Sequence, residues 1–213
     1  MNAPHATNAL TKATGFGLLV LLLMVTPAWS QSQGVTLLED TFDPPPGAGW
    51  STQATATAPA TGEKFLGQFA AESVTLSLKD LPDHTWVRVE FDVYAIGSWD
   101  GNSPTDGPDL FRVDTDDGRP LVRTTFGWRY EQAYPGQFGV HTNPPRTGST
   151  INNALGFTWK SFAVDDIYHF QLVFPHTKDT LGLTFASTQN EAIDNESWGL
   201  DNVTVTALSQ APR

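Results

Sequence analysis

The chain has 213 residues, 23 Asp and Glu against 12 Lys and Arg, a formal net charge of −11 and no cysteine. At 39% hydrophobic and 16% charged it is too apolar for a disordered polymer and long enough for one domain with a sizeable core. The acidic balance argues against nucleic acid as a partner, and the missing cysteines exclude disulfides, thiolate metal sites, a cysteine nucleophile and a lipid-anchored lipoprotein.

Residues 1–30 read as an export signal. Lys12 supplies positive charge, residues 16–25 (FGLLVLLLMV) are apolar apart from one glycine, Pro27 breaks the helix, and Ala28-Trp29-Ser30 fits the small-x-small cleavage pattern before Gln31. A run of roughly ten residues is half the length a bilayer span needs. The expected product is soluble, secreted or periplasmic, with no membrane insertion after cleavage. The expected organisation is a signal over 1–30, a β-sandwich domain over 31–207 and a short tail over 208–213.

Strand periodicity dominates the remainder. The first strand is expected over 35–42, followed by an irregular Pro/Ala/Thr/Gly-rich stretch over 44–62 and a strand over 65–69. Val74, Leu76 and Leu78 alternate with polar residues. In Trp86 to Tyr94 (WVRVEFDVY), Val87, Val89, Phe91 and Val93 fall on one face and Arg88, Glu90 and Asp92 on the other, the pattern of a half-buried strand. Strands are expected next over 110–114 and 121–126, with Asp116-Asp-Gly118 as a hairpin turn between them. A second irregular stretch, 127–161, carries Trp128, Tyr130, Tyr134, Phe138, His141, Arg146 and Trp159. In the run IYHFQLVF, Tyr168, Phe170, Leu172 and Phe174 face one way, and His169 and Gln171 the other. Leu181, Leu183 and Phe185 alternate, and a last strand is expected over 198–206. Many short strands separated by turn chemistry predict an all-β fold, a two-sheet antiparallel β-sandwich of the jelly-roll kind, with the first and last strands close together.

Two acidic constellations stand out. In Asp100-Gly-Asn102-Ser-Pro-Thr-Asp106-Gly-Pro-Asp109, oxygen-bearing side chains are bent round glycines and prolines in a way that could wrap a hard cation such as calcium, or could only cap turns. The second is Asp194-Asn195-Glu196-Ser-Trp198-Gly-Leu-Asp201-Asn202. Asp201 has the parity of Val203 and Val205, which predicts an inward-facing carboxylate in need of a partner: a cation, backbone amides or a distant arginine. Glu39 and Asp40 could add oxygens if the terminal strands pair. The expected cation set is therefore Glu39, Asp40, Asp100, Asn102, Asp109, Glu196 and Asp201.

The residues Phe91-Asp-Val-Tyr94, Ser98-Trp-Asp-Gly101 and Pro108-Asp109, taken with Glu196-Ser-Trp-Gly-Leu-Asp-Asn-Val203, resemble a secreted bacterial jelly-roll module. The frame is similar to family 4/22-type carbohydrate-binding modules and MAM-type adhesion domains. Those open with an acid and Phe before Gly-Trp, here Glu39-Asp-Thr-Phe42 and Gly49-Trp50, and close on an Asp-bearing strand, here Leu200-Asp-Asn-Val-Thr-Val205. The resemblance covers about residues 35–207. It implies a sandwich and a structural calcium between the terminal strands, held by Glu39 or Asp40 with Asp201; the chain lacks the cysteines of MAM domains.

Catalysis has no motif behind it. One jelly-roll hydrolase family uses Glu-x-Asp-x-x-Glu on a strand face; here Glu90-Phe-Asp92-Val-Tyr-Ala95 ends in alanine, so the pair lacks its acid/base. No Gly-x-Ser-x-Gly elbow and no HExxH occurs. Binding has more behind it. Trp128, Tyr130, Tyr134 and Trp159 offer flat apolar rings on which sugars stack, although most such rings in a sandwich serve the core. The reading is a secreted, non-catalytic, calcium-stabilised module that binds an extracellular glycan or cell-surface partner. The alternatives are a polysaccharide-acting hydrolase or lyase, and a structural matrix or surface protein.

Overall fold

The computed structural model describes residues 34–212; the predicted export signal lies outside them. Thirteen strands follow in order: β1 (Gly34–Asp40), β2 (Thr55–Thr57), β3 (Lys64–Phe69), β4 (Ser73–Leu78), β5 (Trp86–Gly97), β6 (Leu110–Thr115), β7 (Pro120–Thr125), β8 (Ile151–Asn152), β9 (Thr158–Trp159), β10 (Phe162–Ala163), β11 (Asp165–Pro175), β12 (Leu181–Ser187) and β13 (Glu196–Leu208). The larger sheet runs β2-β3-β13-β5-β11-β8, with β1 also pairing β13; the smaller runs β4-β12-β6-β7; β9 and β10 form a separate hairpin. Every pairing is antiparallel. The chain is an all-β sandwich, as its periodicity predicts, and the first and last strands do pair, Gly34 opposite Leu208 and Asp40 opposite Val203. No helix among the described residues is long and apolar enough to cross a membrane.

Alternation fixes which face each strand buries. On β5, Val87, Val89, Phe91 and Val93 are fully buried, and they join Phe111 and Val113 of β6, Leu183 and Phe185 of β12, and Trp198, Leu200, Val203 and Val205 of β13 in one inter-sheet core. Arg88, Glu90 and Asp92 lie on the outer face, where Arg88 pairs with Glu90 at 2.9 Å and Asp92 accepts from Asn202 Nδ2 and sits 2.8 Å from His169 Nδ1. The alternation then stops: Tyr94, Ala95, Ile96 and Gly97 are all buried. The two irregular stretches fold over the outer face here and make a second apolar cluster of Ala58, Phe65, Tyr94, Ile96, Leu155 and Ile167. Asp165 fastens this cover, its carboxylate accepting the amides of Leu155, Gly156 and Phe157 at 2.8–3.0 Å.

The expected inward position of Asp201 is corrected by a β-bulge. The β13–β5 register passes from Asp201 opposite Asp92 to Thr204 opposite Glu90 with an extra residue between, and Asn202 takes φ +52°. The extra residue reverses side-chain parity. Asp201 therefore shares the outer face with Tyr94, whose hydroxyl donates to it at 2.8 Å. Val203 and Val205 return to the core.

Candidate functional site

At one end of the sandwich, β5 ends at Gly97 and the chain turns through residues 98–109 before entering β6. Gly101, at φ +59°, lets this loop press against the backbone of Glu131: a Cβ there would stand 2.3 Å from the Glu131 carbonyl oxygen. Asn102 N donates to that same oxygen, Asp100 bridges Gly127, and Trp128 N donates to Trp99 O. The loop after β12 returns to the same place, and Gln189 Nε2 donates to Glu196 O at 2.7 Å. These contacts bring Asp100 and Asp109 from one loop to Glu196 at the start of β13, with one carboxylate oxygen from each within 4.8 Å of the others.

The electrostatics of this cluster are unusual. Glu196 is 0% exposed, and among the described residues neither of its carboxylate oxygens meets a hydrogen-bond donor; the Glu191 carboxyl lies against it, and Glu191 Oε2 is likewise buried without a donor. Asp109 accepts the amide of Asp100. No Lys, Arg or His nitrogen among the described residues lies within ion-pair distance of these four acids. Burial, reinforced by the neighbouring carboxylates, raises Asp100 to about 6 and Asp109 to about 7, and it drives Glu196 well above the usual carboxylate range.

The other expected cation ligands are placed elsewhere. The Asn102 side-chain oxygen accepts from the Thr125 hydroxyl. Asp40 braces the loop after β1, accepting the amides of Phe42 and Gly47 and Trp50 Nε1. Glu39 is exposed on β1. Asp201 is taken up by Tyr94 and by the amide of Asn202. Glu39, Asp40 and Asp201 are thus not assembled round a common point, and a calcium between the terminal strands does not fit these residues.

The four expected ligand-binding aromatics also separate. Trp128 and Trp159 touch edge to face at 5.9 Å and are joined by Phe162, which is 50% exposed. Arg129 lies 4.0 Å over the Trp128 ring and Lys160 lies 3.9 Å over the Trp159 ring. Neither cation has a carboxylate in ion-pair distance among the described residues. Tyr130 is exposed, its hydroxyl donating to Asp106 at 3.3 Å. Tyr134 instead packs on Phe170 and Tyr168 and donates to His169 O. There it forms a wall of a groove of about 410 Å³ between β7, the outer strand of the smaller sheet, and β11 of the larger one, lined by residues of β7, by Tyr134–Gln137 and by His169–Leu172. None of the lining residues is Asp or Glu.

Sequence reasoning missed Glu191, Arg129, Lys160 and Phe162. The hairpin gives little signal, since its two-residue turn Lys160-Ser161 takes positive φ at both positions without the Asn, Asp or Gly that usually announces such a turn. Glu191 gives none; only the folded return of its loop brings it to Glu196. The histidines at the turns also meet: His84 Nε2 lies 2.7 Å from His176 Nδ1.

No protein-family model matches the chain, and no curated sequence matches it. Among solved structures it is similar to BtGH115A, a family GH115 4-O-methyl-α-glucuronidase with specificity for decorated arabinogalactans, at 14% identity and TM-score 0.40 over 80% of this chain and 17% of that one. It is also similar to the CBM22-1–GH10 modules of Clostridium thermocellum xylanase 10B complexed with xylohexaose, at 10% identity and TM-score 0.36 over 84% and 29%. A third likeness is to the Agl-KA catalytic domain, at 9% identity and TM-score 0.33 over 88% and 30%. The chain spans less than a third of each of these chains. Likenesses of this size carry neither ligand nor activity to it.

Proposed function

We propose that the chain is a secreted, non-catalytic β-sandwich module that binds an extracellular glycan. The observation that supports this most is the groove between β7 and β11. Its volume falls in the range of small-ligand sites, about 300–1,000 Å³, and its lining mixes apolar Leu121, Phe170 and Leu172 with the hydrogen-bonding residues Arg123, Thr124 and Gln137. Glycoside hydrolysis needs two carboxylates facing each other across the sugar. The lining provides none, and Glu90 and Asp92 are occupied by Arg88, Gln171, His169 and Asn202 on the outer face. The reading is therefore recognition rather than cleavage.

The Trp128–Trp159–Phe162 patch supports a second binding surface. Its ring faces carry Arg129 and Lys160, two cations with no carboxylate in ion-pair distance among the described residues of a strongly acidic protein. That chemistry suits a uronate-bearing glycan better than a neutral one, because its carboxylate would meet the two cations held beside the aromatic rings.

Affinity electrophoresis against neutral xylan, β-glucan and polygalacturonate tests both. Retardation by a neutral glycan that Gln137→Ala with Arg123→Ala abolishes supports the groove. Retardation by polygalacturonate that Trp159→Ala or Lys160→Ala abolishes supports the patch. No retardation by any polysaccharide refutes the glycan reading, and release of reducing sugar refutes its non-catalytic part.

A further inference from the structure

We propose that Asp100, Asp109 and Glu196 form a site for one hard divalent cation, calcium above all, with Glu191 as a fourth oxygen donor, at the end of the sandwich where loop 98–109 meets the start of β13. The acids alone would not carry this. What does is Glu196: a fully buried side chain, aimed at two further carboxylates, whose two oxygens meet no hydrogen-bond donor and no basic nitrogen among the described residues. A buried carboxylate without a partner is among the costliest arrangements a fold can hold. Its neighbours make the cost larger, since like charges a few ångströms apart cannot all be ionised.

Two kinds of particle can relieve such a cluster, protons or a cation. The donor set is all oxygen, which excludes soft metals and suits calcium, magnesium or manganese. Oxygens within 4.8 Å of one another fit round an ion with metal–oxygen distances of about 2.3–2.6 Å. Asp100 is only half-buried, so the cluster has an entrance from solvent. Magnesium keeps its water and demands near-ideal octahedral geometry, so calcium is the better occupant of a site with few protein ligands on two separate loops. The site is independent of the glycan reading: it shares no residue with the groove or the aromatic patch. It also differs from the set that the resemblance implies, because Asp40 and Asp201 are bound elsewhere. In effect the ion would be a clip, fastening the loop after β5 to the head of β13 in a chain without disulfides.

The test uses the purified protein, stripped with chelator and passed into metal-free buffer near neutral pH. Calcium should titrate calorimetrically with one equivalent and raise the melting temperature by about 5 °C or more at a hundredfold excess over Kd. Magnesium at the same concentration should give less than half that shift. Terbium should luminesce on tryptophan excitation, because Trp99 adjoins Asp100 and Trp198 lies two residues from Glu196. Glu196→Gln, which mimics the neutral acid, should lower calcium affinity at least tenfold while melting no lower than the chelated wild type. Asp109→Asn should also lose the calcium shift, which covers the case in which Glu196→Gln fails to fold. Glu90→Gln, on the outer face, should keep the whole shift. Identical wild-type melting curves in calcium and chelator, with no titration heat, would overturn the proposal in favour of protonated acids. A full calcium shift in both Glu196→Gln and Asp109→Asn would overturn it too, by placing the ion elsewhere.

Discussion

Asp165→Ala is expected to cost about 3–5 kcal/mol and to act mainly on the cover over the outer face of the larger sheet. The Asp165 carboxylate accepts three amides, those of Leu155, Gly156 and Phe157. Hydrogen bonds to a charged acceptor contribute roughly 1.5–3 kcal/mol each, so three in full would total about 4.5–9 kcal/mol. They do not count equally. The Leu155 bond is fully buried, whereas those of Gly156 and Phe157 are part-buried, and water can take over part of their role once the carboxylate is gone. One full term and two partial ones give the quoted range. Asp165→Asn keeps one acceptor oxygen and should cost about half as much. The assay is urea unfolding of the three proteins, with hydrogen exchange at residues 155–157. The alanine variant should lose amide protection there far more than in β5 and β13, whose ladders do not depend on it. A loss below 1 kcal/mol, with those amides protected as in wild type, would falsify the account of Asp165 as the fastening of the second apolar cluster.

Three further predictions can be checked with the same unfolding assay. Tyr94→Phe leaves the Asp201 carboxylate with one buried partner fewer; the cost should be about 1–3 kcal/mol at pH 8 and much smaller at pH 4, because burial raises Asp201 to about 6 and the acid is neutral below it. Asp166, paired with Arg146 at 3.2 Å, is pushed up by burial to about 7, above the ordinary 3.8, the Arg146 charge opposing the shift and Asp165 adding to it. The folded state then holds the proton more tightly than the unfolded chain, so this stability is full below pH 3.8 and is lost as pH rises to about 7. Asp166→Asn should flatten the decline by up to about 4 kcal/mol, and an unchanged slope between pH 4 and 7 would refute this. Gly97→Ala should cost at least about 3 kcal/mol, because its φ is +94° and a Cβ would stand 1.9 Å from the Asn195 carbonyl oxygen; a cost within 1 kcal/mol would contradict that packing.

The strands were legible because alternation is a local signal. WVRVEFDVY declares its own buried face, and so do Leu181, Leu183 and Phe185. What could not be read depended on distant partners. Tyr94 and Ile96 break the alternation of β5 because loops from both irregular stretches cover them, which no window centred on β5 can contain. Asp201 was assigned to the wrong face because one extra residue at the bulge changes parity, and neither Asp201 nor Asn202 announces a bulge by type. Of the acidic site, Asp100 and Asp109 were visible as a cluster and Glu196 as part of another. Their convergence follows from the pairing of β5 with β13, Gly97 opposite Glu196. Tyr134 was legible only as an aromatic in an irregular stretch; that its ring packs on Tyr168 and Phe170 while lining the groove depends on β11, far along the chain.

The place of β13 in the larger sheet has a consequence for how the molecule is made. The last strand in sequence is an interior one, with β5 along one side and β3 and β1 along the other. β3 and β5 therefore cannot zip to the strand that lies between them as they appear; β13 follows both by about a hundred residues in any vectorial process, synthesis or translocation. Pairings such as Gly34 with Leu208 span nearly the whole described chain, which is high contact order and predicts slow, all-or-none folding. Until β13 arrives, β3 and β5 present open edges, and a chain ending before residue 196 should aggregate rather than persist as a smaller sandwich.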